Sequence, residues 1–258
     1  MDNPQKQFFC ILKEIKLFNK YWEALHYIHK EYVLELIQND DKLHMNSYRY
    51  ISKVSKVCRE SDEALDIIME IFEILKESKK INQALMDSTY SATDKLIGKF
   101  EKMEVECNIL IASIRGCKNH IRQEKLAKAR IDNIKIAEGS QNHTKTRLAR
   151  MLPKKDVILT DILWTVISLK RHFRTFNDIM ENTAGELRIY VDNVYKINLR
   201  AEMVSVKKSA LDFSDYYIET QADILISSMK PLKRYFIRIQ AQISQHKATI
   251  GATLASKK

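Results

Sequence analysis

The sequence predicts an all-α protein, built as an elongated antiparallel coiled coil of three helices. Three observations carry this. Among 258 residues only five are Gly and three are Pro, so the usual punctuation of loops and turns is scarce. Apolar residues make up 45% and charged residues 29%, a balance that suits helices burying one stripe and hydrating the rest. Apolar side chains also recur at alternating spacings of three and four over long stretches, the mark of a left-handed coiled-coil seam.

The first helix is expected over about residues 5–59. Its stripe runs through Phe8, Ile11, Ile15, Phe18, Trp22 and Leu25, continues at His29, Tyr32 and Leu36, and reaches Leu43, Tyr50 and Val57. Phe8-Phe9-Cys10-Ile11-Leu12 fits that register, which argues against a separate membrane-inserting helix there. Glu60-Ser61-Asp62-Glu63 then offers Ser61 as an N-cap, with acids suited to a first turn.

A second helix is expected over 62–150, with Leu65, Ile68, Phe72 and Leu75, then Leu96, Phe100, Met103, Cys107, Leu110, Ile114, Cys117 and Ile121 on its seam. Between these groups Lys79, Asn82, Thr89 and Thr93 occupy the same register, and a second stripe through Ile67, Ile71, Ile74, Ile81 and Leu85 takes over. Gly139-Ser140-Gln141-Asn142 reads as a frayed or kinked stretch, and Met151-Leu152-Pro153 as the strong break, which puts a tip at 151–155. The third helix, 154–247, starts with help from Asp156 and Asp161. Its seam passes through Ile162, Val166, Leu169, Phe173, Phe176, Met180 and Leu187, and later Ile218, Met229, Phe236 and Ile243. Pro231 inside it predicts a bend near Ser227 rather than an end. Residues 1–250 then form one domain, and 251–258 a short basic tail.

Charge is distributed unevenly. From Ser113 to Lys155 the basic residues are Arg115, Lys118, Arg122, Lys125, Lys128, Arg130, Lys135, Lys145, Arg147, Arg150, Lys154 and Lys155. Only Glu124, Asp132 and Glu138 oppose those twelve, so nine of the chain's net ten positive charges sit in this stretch. A solvated coiled-coil face would alternate acids with bases. Here the acids are missing, which implies an anionic partner. An anionic phospholipid membrane is the expected one, with Lys170, Arg171 and Arg174 extending the patch. Nucleic acid could use the same charge, but the patch has no interleaved aromatics and no recognisable binding module.

The remaining chemistry is sparse. Cys10, Cys58, Cys107 and Cys117 form neither a CxxC pair nor a zinc spacing and read as reduced core thiols of a cytosolic protein. No secretion signal and no apolar run long enough to span a bilayer is present. Glu23-Ala24-Leu25-His26, with His29 one turn on, has the spacing of a helical di-metal site. Its only echo, Asp41-Lys42-Leu43-His44, lies too far along the same helix, so a core or interface histidine is the better reading. No phosphate loop, nucleophile elbow or paired-carboxylate cleft is found, and neither enzyme activity nor a metal or cofactor is expected.

The layout resembles the BAR-domain superfamily, and within it the Chibby-interacting BAR proteins of the ciliary base. The stretches that carry the resemblance are Asn3-Pro4-Gln5-Lys6-Gln7, Glu60-Ser61-Asp62-Glu63-Ala64-Leu65 and Asp212-Phe213-Ser214-Asp215-Tyr216-Tyr217-Ile218-Glu219. The resemblance implies a homodimer forming a six-helix crescent that senses or shapes curvature. It also implies a scaffold role in cilium assembly, peripheral membrane association at the ciliary base or transition zone, and a Chibby-type partner. The competing expectation is a coiled-coil structural or tethering protein that makes no direct contact with lipid.

Overall fold

A heptad seam cannot stay in water, so each helix must lie along others that cover its stripe. In the computed structural model, which describes residues 4–31, 39–136, 143–203 and 208–255, this is met by six helices and, among the described residues, no strand. They are α1 (Pro4–Glu31), α2 (Asn39–Ser78), α3 (Gln83–Leu96), α4 (Glu101–Ile136), α5 (His143–Met203) and α6 (Lys208–Ala255). The all-α expectation holds; the three-helix layout does not. No helix is long and apolar enough to cross a membrane among the described residues.

Four boundaries differ from expectation, each for a physical reason. The expected junction at Glu60–Glu63 is absent, and α2 runs straight through it. Ser61 is no cap: it sits with Cys58, Ala64 and Leu65 on a fully buried face, and a continuous seam outweighs capping preference. The chain instead leaves α2 at Ser78. Lys79 adopts φ 56°, its amide donating to the Leu75 carbonyl at 2.8 Å, the left-handed closure that glycine usually supplies. A further break separates α3 from α4, where Gly98 takes φ 68°. Finally, Pro153 lies inside α5 rather than at a tip, whereas α6 continues through Pro231, where no helix end was expected. One lost amide donor at Pro153 is tolerated because Leu159 and Ile162, just downstream, are completely buried. The expected tail is in part helix, since α6 continues to Ala255. Residues 137–142, including the stretch read as frayed, lie outside the described residues.

Backbone contacts divide the chain into two units, to both of which α2, α5 and α6 contribute. The first comprises residues 1–8, 54–102 and 173–241. Here α2 and α3 form a hairpin: the turn at 79–82 joins their near ends, and Lys99 reaches back to Glu60 at 2.6 Å. α6 runs antiparallel to α2, tied by Lys76–Asp223 at 2.6 Å, Lys79–Glu219 at 2.8 Å and Lys233–Asp66. α5 runs antiparallel to α3, with Tyr90 donating to Asp192 and Arg188 pairing with Asp94. The result is an up-down arrangement of four helices. Its core is a ring cluster of Phe100, Phe173, Phe176 and Phe236, with centroids 5.1–5.9 Å apart, and the Phe72–Tyr190 pair at 5.0 Å.

The second stripe, which starts on α2, is only half used. Ile71 and Ile81 are buried, but Ile67 and Ile74 are exposed. Instead Thr89 and Thr93 stay in the buried register, their hydroxyls bonding the Leu85 and Tyr90 carbonyls, because α3 returns along α2 and needs only one apolar face.

Two asparagines of α5 close the two breaks. Asn198 accepts from the Ile81 amide at 2.9 Å and donates to the Lys79 carbonyl at 2.9 Å, satisfying both sides of the α2–α3 turn. Asn177, three heptads earlier and 4% exposed, accepts from the Phe100 amide at 3.3 Å, beside the start of α4. Asn82 caps α3 locally by accepting from the Leu85 amide at 2.9 Å. Replacing Asn198 by Ala leaves a backbone donor and acceptor unmet and is expected to lower stability by about 2 kcal/mol, read from chemical denaturation. An unchanged denaturation midpoint would remove Asn198 as the clamp of the turn.

Candidate functional site

The second unit holds the basic segment. It comprises residues 9–53, 103–172 and 242–258. α1 and α2 are antiparallel here, with Trp22 against His44 and Phe18 against Tyr50. α4 runs antiparallel to α2: Asn46 bonds Ser113 at 2.5 Å, Cys107 lies 3.6 Å from the Tyr50 hydroxyl, and Arg49 reaches the buried Glu106 at 3.1 Å. α4 and α5 are antiparallel as well. Lys125 and Lys118 pair with Asp156 at 3.3 and 3.0 Å, Lys118 also donates to Thr160, and Lys170 pairs with Glu104 at 3.0 Å. These pairs descend along α4 as they climb α5, and α5 already spans Met151–Lys155, so the tip expected there lies inside a helix. Proline proved the wrong marker, because a bundle helix absorbs one within its length.

That register sorts the basic residues. Lys118 and Lys125 converge on Asp156, and Lys170 on Glu104 and Asn108, so these three act as clasps between α4 and α5. Burial works against the charged form of Asp156, but the hydrogen bonds from Lys118 and Lys125 outweigh it and hold the carboxyl below its usual range. Lys155 is 4% exposed and belongs to the interior. Arg115, Arg122, Lys154 and Arg171 are exposed. Arg174 is exposed too, but it lies in the other unit. The side chains of Lys128, Arg130, Lys135, Lys145, Arg147 and Arg150 lie outside the described residues.

Reasoning from sequence missed the clasp at Asp156, which was read only as a helix-start acid. Its signal was available: an acid directly following a segment so short of acids will be claimed by the nearest bases. It also missed Trp164, which stands off the Ile162–Val166–Leu169 seam and is exposed.

Other chemistry is structural. An open depression on the first unit is lined by Asp87, Tyr90, Asp94, Lys95, Lys99 and Lys102. Its polar groups are largely committed: Asp94 to Arg188, Tyr90 to Asp192, Lys99 to Glu60. Cys58, Cys107 and Cys117 are buried thiols; burial raises the Cys107 pKa to about 12, so it is held protonated. Among the described residues no three His, Cys, Asp or Glu side chains converge on a metal position. The side chains of His26 and His29 lie outside the described residues.

No family model matches the chain, and neither the curated proteins nor the solved structures compared with it give a match.

One buried titratable group makes this unit sensitive to acid. His246 of α6 is 2% exposed, lies 5.2 Å from the Phe18 ring and 6.0 Å from Trp22, and has a protein hydrogen bond at neither nitrogen. Burial alone lowers its pKa to about 4. Because the folded value lies below the unfolded one of about 6.5, the stability linked to this group is complete above pH 6.5 and is lost as pH falls towards 4. The total is roughly 3 kcal/mol at the acid end. Thermal unfolding between pH 7 and 4 should show this loss, and His246→Leu should flatten the curve. An identical acid slope in the variant would show that His246 is not its source.

Proposed function

We propose that this chain is a non-catalytic helical scaffold that docks on anionic membrane surfaces through the basic end of its α4–α5 pair. The observation that supports the reading is the segregation of charge: twelve bases against three acids between Ser113 and Lys155, with Arg115, Arg122 and Lys154 exposed after the interhelical ion pairs are formed. Pairing between the helices engages Lys118, Lys125 and Lys170, so those residues leave the docking set. Each exposed cation near an anionic bilayer contributes about 1 kcal/mol at low salt.

The reading draws on charge rather than on the BAR resemblance. A curved homodimer acting at the ciliary base with a Chibby-type partner is an extension of the proposal, tested by small-angle scattering for an arc-shaped dimer.

Co-sedimentation with phosphatidylserine-rich vesicles is the direct test. The triple variant Arg115→Glu, Arg122→Glu, Lys154→Glu should bind on the order of a hundredfold more weakly at low salt. Wild-type binding should itself weaken as salt rises. A wild-type chain that stays in the supernatant favours the alternative, a tethering coiled coil that never touches lipid.

A further inference from the structure

A surface that only attracts phosphates needs charge; one that seats in a bilayer also needs apolar side chains where the cations are. The second unit has both. Trp164 and Val157 of α5 are 65% and 61% exposed, and their spacing of seven puts them on one face of that helix. Leu126 of α4 is 57% exposed. The Lys125–Asp156 ion pair fixes where these residues meet: Leu126 and Val157 each directly follow one of its partners. Exposed Lys154 comes one turn before Val157, and exposed Arg122 one turn before Leu126.

None of the three is needed by the core. Leu159, Ile162, Val166 and Leu169 already fill the α5 seam at 0–1% exposure, and Ile114, Cys117 and Ile121 fill that of α4 at 0–4%. The unit's other tryptophan, Trp22, is completely buried. Trp164 is thus a large amphipathic ring held in water, two turns along α5 from Val157 and its neighbouring Lys154, on a helix whose folding does not require it there. An indole with an apolar body and one N–H donor suits the headgroup layer of a membrane.

We propose that Trp164, with Val157 and Leu126, forms the apolar contact by which the α4–α5 pair seats in the interfacial layer of an anionic membrane. This rests on the docking function proposed above and adds to it the depth and the face of contact. Cations alone would hold the unit above the phosphates; the apolar triplet places it among them. A purely electrostatic mode would vanish at high salt. Part of the affinity here survives salt because apolar transfer is not screened.

The two tryptophans make the test selective. The emission of the wild-type chain minus that of Trp164→Phe isolates Trp164 against the constant background of buried Trp22. Phosphatidylserine-rich vesicles should shift this difference spectrum to the blue, and brominated acyl chains should quench it; phosphatidylcholine vesicles should do neither. Trp164→Ala should lower vesicle partitioning roughly tenfold, as expected for losing one partly inserted large side chain. Because the site is exposed, circular dichroism of the variant should match the wild type. Vesicle binding with no change in Trp164 emission would overturn this inference and leave the docking function standing. Absence of sedimentation with the vesicles would remove both. Emission already blue without vesicles, and rising with protein concentration, would show that a second copy covers this face, which also overturns the inference.

Discussion

The direction of every helix after α2 depends on the reversal at residues 79–82. If α2 ran on into α3, Thr89 and Thr93 would have no neighbour on their buried side, and Lys99 could not return to Glu60. The reversal is held from outside the turn. Lys79 occupies a left-handed conformation that costs a non-glycine residue roughly 1–2 kcal/mol. Asn198 compensates by meeting the Lys79 carbonyl and the Ile81 amide together. The turn therefore depends on α5, because the groups that offset the strain at Lys79 are supplied by Asn198.

This explains which parts of the fold were legible in the sequence. Seams were, because burial of a helical face imposes spacing directly on residue type. Phe8 through Leu25, Leu65 through Leu75, Leu96 through Ile121 and Ile162 through Val194 are buried along the stripes their spacing defines. Breaks were not. The α2–α3 turn contains neither Gly nor Pro, and its stabilising partner lies more than a hundred residues away, so no local reading finds it. Conversely Pro153, the strongest local breaker, is overridden by the burial on its downstream side. Scarcity of Gly and Pro limits turns only when turns are stabilised locally, and here one is stabilised by tertiary contact.

The charge pattern was legible in total but not in detail. Composition gives the excess; only register says which cations that excess leaves outside. Because α4 and α5 are antiparallel, a single acid at Asp156 faces two lysines seven residues apart and takes both. Lys155, one residue earlier, turns inward, while Lys154 stays in solvent. Neighbouring residues of the same charge thus serve opposite ends: the clasp fixes the two helices, and the exposed remainder sets their surface potential.

That remainder also bears on which anion the surface suits. A cationic surface alone does not discriminate between lipid headgroups and nucleic acid phosphates, since both screen and release counterions in similar ways. Discrimination comes from what lies beneath the phosphates. Single-stranded nucleic acid offers flat bases, which favour aromatic stacking and gain little from aliphatic side chains. A bilayer offers hydrocarbon, which accepts valine and leucine as readily as an indole. The exposed apolar residues beside the cations include two aliphatics and one tryptophan, a mixture that matches the second chemistry. Isolated exposed apolar residues are ordinary on any protein. What singles these out is that the Lys125–Asp156 pair fixes Leu126 and Val157 at the same level of two helices, with Trp164 two turns on, so they would meet a flat apolar layer together rather than one at a time.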